Sequence, residues 1–254
     1  MIHETAIVSK DAKIGQNVVI GPNCVINSDV EIGYNCHLAN GVIVDNGARI
    51  GKNVRIYSYA SIATEPQDLK YNNEKTTVEI GDNTVIREFA TINRATTHSW
   101  KTVVGKNCLI MTYCHVAHDC VVGDNVIISN ATQLGGHVTV EDWVILGGVV
   151  KVHQFCTVGK HSMVGADVKI VKDVPPYTLI GRNPAQVEGI NKIGLKRRGF
   201  SDNVIKEIEK FYTELIFSGK SNKDVLEYYD THENCEEVNG CIDYIKNSKR
   251  GIHR

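Results

Sequence analysis

The chain has 254 residues, a net charge of −1 and 42% hydrophobic content. This is the composition of a globular protein of one or two domains, without the charge excess that draws a chain to nucleic acid. No apolar run approaches membrane-spanning length, and the pattern described next starts at Ile2, leaving no room for a signal peptide; a cytoplasmic protein is the expectation.

From Ile2 a hydrophobic residue recurs every six positions, through Val8, Ile14, Ile20, Ile26, Ile32 and Leu38 and on to Ile170. The frame survives two interruptions, at 63–79 and 93–103. The fifth hexad position is small or β-branched, as in Val18, Cys24, Val30, Cys36, Ala60 and Cys114. A period of six matches neither the 3.6 of a helix nor the 2 of an ordinary strand, so the chain must turn a corner after each short strand. Such hexads predict an all-β architecture, a parallel β-helix whose stacked coils share one apolar core. With three hexads to a triangular coil, residues eighteen apart lie one above the other, about 4.8 Å apart. The Asn-Gly, Gly-Asn and Asp-Asn pairs suit the corners, because Gly and Asn tolerate the conformations needed there. Handedness is not contained in the period, and crossovers between parallel strands are ordinarily right-handed.

Cys24, Cys36, Cys108, Cys114, Cys120 and Cys156 all fall on the fifth hexad position, where a thiol packs as a small hydrophobe; this fits a reducing compartment. Each interruption is a candidate functional loop, since an insertion in a solenoid has no packing duty. The first carries Pro66-Gln67-Asp68-Leu69-Lys70-Tyr71, and the second runs Asn93-Arg94-Ala95-Thr96-Thr97-His98-Ser99-Trp100-Lys101. A solvated loop is the plain alternative for both.

The coils from Val104 to Ile170 hold His115, His118, Asp119, Gly136, His137, His153 and Gln154. His118, Gly136 and Gln154 are eighteen apart and form one column; Asp119 and His137 form the next, with His153 beside Gln154. Three neutral imidazoles with an open position would suit zinc. A bare glycine beside an imidazole suits instead a base with an oxyanion donor, and so acyl transfer without a metal.

The repeat stops at Val174-Pro175-Pro176-Tyr177, because consecutive prolines remove the donors of a further coil. The prism is therefore placed at 1–176, a connecting segment at 177–190 and a helical domain at 191–254. Ser201 caps a helix through Val204, Ile205, Ile208, Phe211, Tyr212 and Leu215 that Gly219 closes; Ser221 caps a second, and a third falls near 234–247. The tail is expected to cap the open end of the prism.

The runs Gln67-Asp68-Leu69-Lys70-Tyr71, His115-Val116-Ala117-His118-Asp119-Cys120, Gly136-His137-Val138, Val152-His153-Gln154-Phe155-Cys156, Asp173-Val174-Pro175-Pro176-Tyr177 and Gly194-Leu195-Lys196-Arg197-Arg198-Gly199-Phe200, in this order, closely resemble the UDP-N-acetylglucosamine O-acyltransferase family. The resemblance implies a left-handed β-helix and the first step of lipid A synthesis, in which a 3-hydroxyacyl chain passes from acyl carrier protein to the sugar 3-hydroxyl. It makes His118 the general base, Asp119 its electrostatic partner and Gly136 the oxyanion donor. Gln67, Asp68, Lys70, His115, His137, His153, Gln154, Asn191, Arg197 and Arg198 match or adjoin positions that hold the nucleotide sugar or line the site. Met163 and Ala166 match the end of the acyl groove, where a methyl at Ala166 shortens or redirects it. No cofactor or metal is implied, since the donor brings its own phosphopantetheine. A homotrimer is, because the family pairs neighbouring prisms at each site. Lys172, Lys196, Arg197 and Arg198 are candidates to meet the acidic carrier.

The chemistry agrees. A sugar hydroxyl needs a base titrating near neutrality, the range of an imidazole, whereas a thiolate leaves without much acid assistance. Two residues depart from the family pattern: Asn93 stands where histidine is frequent, and Ile193 where an acidic residue is. Relatives that use a 3-amino sugar make the amine analogue an alternative acceptor. The family's later N-acyltransferase carries a further domain ahead of its hexads, γ-class carbonic anhydrases share histidine-bearing hexapeptide prisms, and a non-catalytic scaffold would show ladders of one exposed residue type.

Overall fold

The computed structural model describes residues 1–254. Each hexad contributes a strand of mostly two residues, such as His37–Leu38, Ile43–Val44 and Leu109–Ile110, and the strands stack into three sheets of nine, eight and ten strands. Pairing is parallel between coils eighteen residues apart, as in Ile7 with Val25, His115 with Gln133 and Gln133 with Lys151. Across the interruptions the offset grows, Ser61 pairing with Thr91 and Thr91 with His115, while the inward residues stay inward. The architecture is the left-handed parallel β-helix.

One core cluster of 48 buried residues runs through the prism. The six cysteines at the fifth hexad position are all buried and free. Burial pushes the thiols of Cys108, Cys114 and Cys156 up to about 11 and that of Cys120 to about 12. Corners were expected to need Gly or Asn, and Asn17, Asn35, Asn53, Asn83 and Asn107 do lie in the left-handed region. Their amides form a hydrogen-bonded ladder along one corner. Bulky side chains also occupy corners, however: Tyr59, Phe89, Tyr113, Trp143, Val149 and Phe155 all have positive φ. Each costs about 1–2 kcal/mol in backbone strain. Stacking along the column offsets part of it, with ring centroids 5.3 Å apart for Tyr59 and Phe89 and 5.1 Å for Phe89 and Tyr113.

The interruptions are shorter than the hexad count suggests, because strands persist to Thr64 and Asn93 and resume at Thr77 and Lys101. They also pack, contrary to expectation. The Asn93 amide donates to Thr64 Oγ1 and to the Glu65 carbonyl, each at 2.9 Å. The Arg94 guanidinium reaches the Tyr71 hydroxyl at 2.7 Å and the carbonyls of Asn46 and Ala63 at 3.2 Å, and the Thr76 hydroxyl donates to the Ala95 carbonyl. Buried backbone groups that leave the ladder find partners in the other loop.

Beyond the prolines the segment expected to be a connection is an antiparallel hairpin, Thr178–Gly181 with Gln186–Ile190, which extends the ten-stranded sheet through Met163 and Leu179. Helix α1 (Lys192–Arg197) follows, capped by Asn191, whose side chain accepts from the Gly194 N–H. Ser201 caps α2 (Asp202–Tyr212), which runs on into a wider turn to Phe217; Ser221 caps α3 (Asn222–Asp230), and α4 spans Glu236–Asn247. These helices share a second core of 14 residues and seal the last coils, with the Tyr212 hydroxyl on the Pro176 carbonyl and the Tyr244 hydroxyl on that of Thr157. No helix is long and apolar enough to cross a membrane.

Candidate active site

Asp119 sits at a corner with φ of 60°, which turns its side chain into the angle between the prism and the second loop. The carboxylate is fully buried and accepts from the backbone N–H and hydroxyl groups of both Thr96 and Ser99. It also accepts from His118 Nδ1 at 2.7 Å. Burial pushes the Asp119 carboxyl up, but the hydrogen bonds from Ser99, His118 and Thr96 outweigh burial and hold it at about 2. A carboxylate can only accept, so His118 donates from Nδ1 and Nε2 faces away from Asp119.

Nε2 faces Gly136. A Cβ placed on Gly136 would come within 2.6 Å of His118 Cε1 and 2.8 Å of Nε2, so only glycine leaves space at the basic nitrogen. The Gly136 carbonyl accepts from Phe155 on the next coil, while its own N–H serves no backbone acceptor. His115, one strand back, pairs through Nδ1 with the Thr91 hydroxyl at 2.7 Å; burial, with His118 close by, pushes its pKa down. His137 stacks flat on Phe155, with centroids 4.3 Å apart, and stands edge-on to His118 at 5.1 Å. Burial is also the main cause of its lowered pKa, opposed by the Asp119 charge and helped by those of His118 and His98.

His115, His118, Gly136, His153, Gln154 and Gln67 line one open cleft of about 480 Å³. The eighteen-residue column therefore brings together what the sequence spacing placed there, and the first loop adds Gln67. Asp68 is near enough for its charge to be felt at His137, but neither it nor Lys70 lines the cleft. Asn191, Arg197 and Arg198 lie elsewhere. The Asn191 amide donates to the His161 carbonyl, and the Arg198 guanidinium lies over Trp143 at 5.3 Å, on the corner column of Trp143, His161 and Tyr177. Exposed Ala166 stacks beside Gly148 one coil below, and half-buried Met163 lies in the strand paired with Ile145 and Leu179; neither lines the cleft. A larger cleft of about 790 Å³, between the prism and α4, contains none of the histidines.

The departures fall outside the cleft lining. Asn93 is 3% exposed and braces the first loop, and Ile193 is an exposed residue of α1. Thr96, Ser99 and His98 were not picked out from the sequence. Their only signal was a Ser/Thr-rich loop, and the interrupted frame hid what it faces. His118, Asp119 and His137 have one ligand atom each within a 4.8 Å group, the spacing of a metal site. Within that group His118 Nδ1 and Asp119 are hydrogen-bonded to each other.

A sequence profile described as "Udp N-acetylglucosamine O-acyltransferase; Domain 2" matches residues 173–253, and one described as "Bacterial transferase hexapeptide (six repeats)" matches 11–46 and 101–136. The acyl-[acyl-carrier-protein]--UDP-N-acetylglucosamine O-acyltransferase of Paracidovorax citrulli is 49% identical over 100% of this chain and 99% of its own. That of Aliarcobacter butzleri is 44% identical over 99% and 97%. The solved UDP-N-acetylglucosamine acyltransferase of Bacteroides fragilis superposes with a TM-score of 0.97 at 41% identity, with complete coverage of both chains. With relatives and a solved structure matched at 41–49% identity over the full length, and profiles matched in the hexads and the helical tail, the chain belongs to the UDP-N-acetylglucosamine O-acyltransferase family.

Proposed function

We propose that the chain transfers a 3-hydroxyacyl group from acyl carrier protein to the 3-hydroxyl of UDP-N-acetylglucosamine, the first step of lipid A synthesis, with His118 as general base. The observation that carries this reading is the His118 ring itself, tied through Nδ1 to Asp119 with Nε2 presented over a glycine whose replacement would push on the ring. Nε2 takes the sugar hydroxyl proton as the oxygen attacks the thioester carbonyl. The tetrahedral oxyanion accepts from the Gly136 N–H, and the thiolate leaves and recovers the proton from the imidazolium. Asp119 holds the ring orientation through Nδ1. His115, Gln67, His153 and Gln154 line the cleft where the acceptor would lie.

Asn191 and Arg198 sit at a different corner from His118, which supports a site completed by a neighbouring copy, as a homotrimer would provide. No step calls on a metal or on a thiol of this chain, and burial pushes Cys114 and Cys120 far out of the nucleophilic range.

The test is transfer from a series of acyl and 3-hydroxyacyl carrier proteins to UDP-N-acetylglucosamine and to its 3-amino analogue. Product is expected with the hydroxyl acceptor, and both His118→Ala and Gly136→Ala should lower kcat by about 10²-fold or more. No product with any pair, or full activity in His118→Ala, would overturn the reading; preference for the amine would correct the acceptor.

A further inference from the structure

The His137 ring is held on three sides. Phe155, one coil on in the same corner column, stacks on it almost parallel at 3°, and His118 meets it edge-on. His98, from the second loop, also meets it edge-on, with centroids 4.5 Å apart and planes at 74°. His137 Nδ1 is buried, bonds to nothing and stops 3.9 Å short of Asp119 Oδ2. That same oxygen receives His118 Nδ1 and the Thr96 hydroxyl. A modest tilt of His137 would bring a second imidazole into competition for the carboxylate that orients His118.

We propose that His98 is a positioning residue, which walls the edge of the His137 ring while Phe155 covers its face, His98 also meeting Phe155 edge-on at 6.3 Å, and so reserves Asp119 for His118. The inference rests on the acyltransferase reading for its kinetic consequence, though not for the ring packing itself. His98 does not line the cleft and acts only through His137. Its own backbone N–H is held by the Thr96 hydroxyl at 3.2 Å, so the loop that supplies the donors of Asp119 also places this wall. The charged and titratable groups facing His137 are His118, His98, Asp119 and, at longer range, Asp68. None of these but His98 comes from the second loop.

The experiment uses the full chain with ¹³C-labelled histidine Cε1, the His137 resonance being assigned by its loss in His137→Gln. Stacking on Phe155 should displace that resonance upfield in the wild type. His98→Ala should lose most of the displacement and lower kcat roughly tenfold with KM unchanged, since the base is misoriented while binding is not. His98→Phe, which keeps a ring edge at the same place, should restore both. Phe155→Leu removes the stacked face of the same ring packing and should lower kcat to a similar degree, with no further loss when combined with His98→Ala; fully additive losses would overturn the shared role. An unchanged resonance in His98→Ala overturns the proposal, as does a His98→Phe protein no better than His98→Ala. If the wild type transfers no acyl group, the acyltransferase reading falls, whereas the ring shifts still decide the ring packing.

Discussion

Five donor groups converge on the Asp119 carboxylate, four of them from two residues of one loop. Its pairing with His118 was legible as adjacency in the sequence, and the eighteen-residue count put Gly136 beside the ring. Thr96 and Ser99 were not legible, because they approach from a segment that keeps no register with the coils. The folded carboxyl is held at about 2, below the ordinary value near 3.9 of an unfolded chain. The stability this gives is therefore complete above about pH 4 and is lost as pH falls toward 2. Thr96→Val removes one charge-assisted hydrogen bond and should cost about 1.5–3 kcal/mol at pH 7 by urea unfolding. The folded pKa should rise in the variant, leaving it less to lose in acid, so its stability curve should converge on that of the wild type between pH 4 and 2. Parallel curves down to pH 2 would contradict this account.

At the scale of elements, the two loops behave as one unit. Arg94 closes that unit, since its guanidinium satisfies Tyr71 and two backbone carbonyls and lies within 3.6 Å of Glu65. Arg94→Ala should release the first loop and open it to trypsin after Lys70 and Lys75, where the wild type resists; identical digestion of the two proteins would dismiss the brace. Neither loop showed this in the sequence, because polar residues out of frame read alike whether they are solvated or interlocked. The helices were clearer, with Ser201 and Ser221 standing at their caps as their local chemistry requires. Helix α1 was missed, being six residues long with Gly194 inside it. The hairpin before it was missed because Pro175, Pro176, Gly181 and Pro184 read as chain breakers, yet the pairing needs only the residues between them.

For the molecule as a whole, the period of six carried most of the information, since every inward position has the same environment. It accounts for six of the eight cysteines as core, and burial pushes the two others, Cys235 and Cys241, up to about 11 and 12. A thiol-reactive disulfide reagent at pH 8 should thus label less than one cysteine per native chain and all eight once the chain is unfolded. Rapid labelling of two or more in the native protein would refute this description of the core. What the period concealed was the permissiveness of the corners, where tyrosine, phenylalanine, tryptophan, valine, aspartate and histidine all adopt the left-handed conformation. A corner column is in that respect a row of equivalent sockets at fixed pitch, with the strain borne by the backbone whatever the side chain. His118 and Gly136 stand beside one such row, with Asp119, His137 and Phe155 in its sockets. New chemistry on this scaffold needs only an exchange of occupants along a row, and the alphabet open to it is much wider than glycine and asparagine.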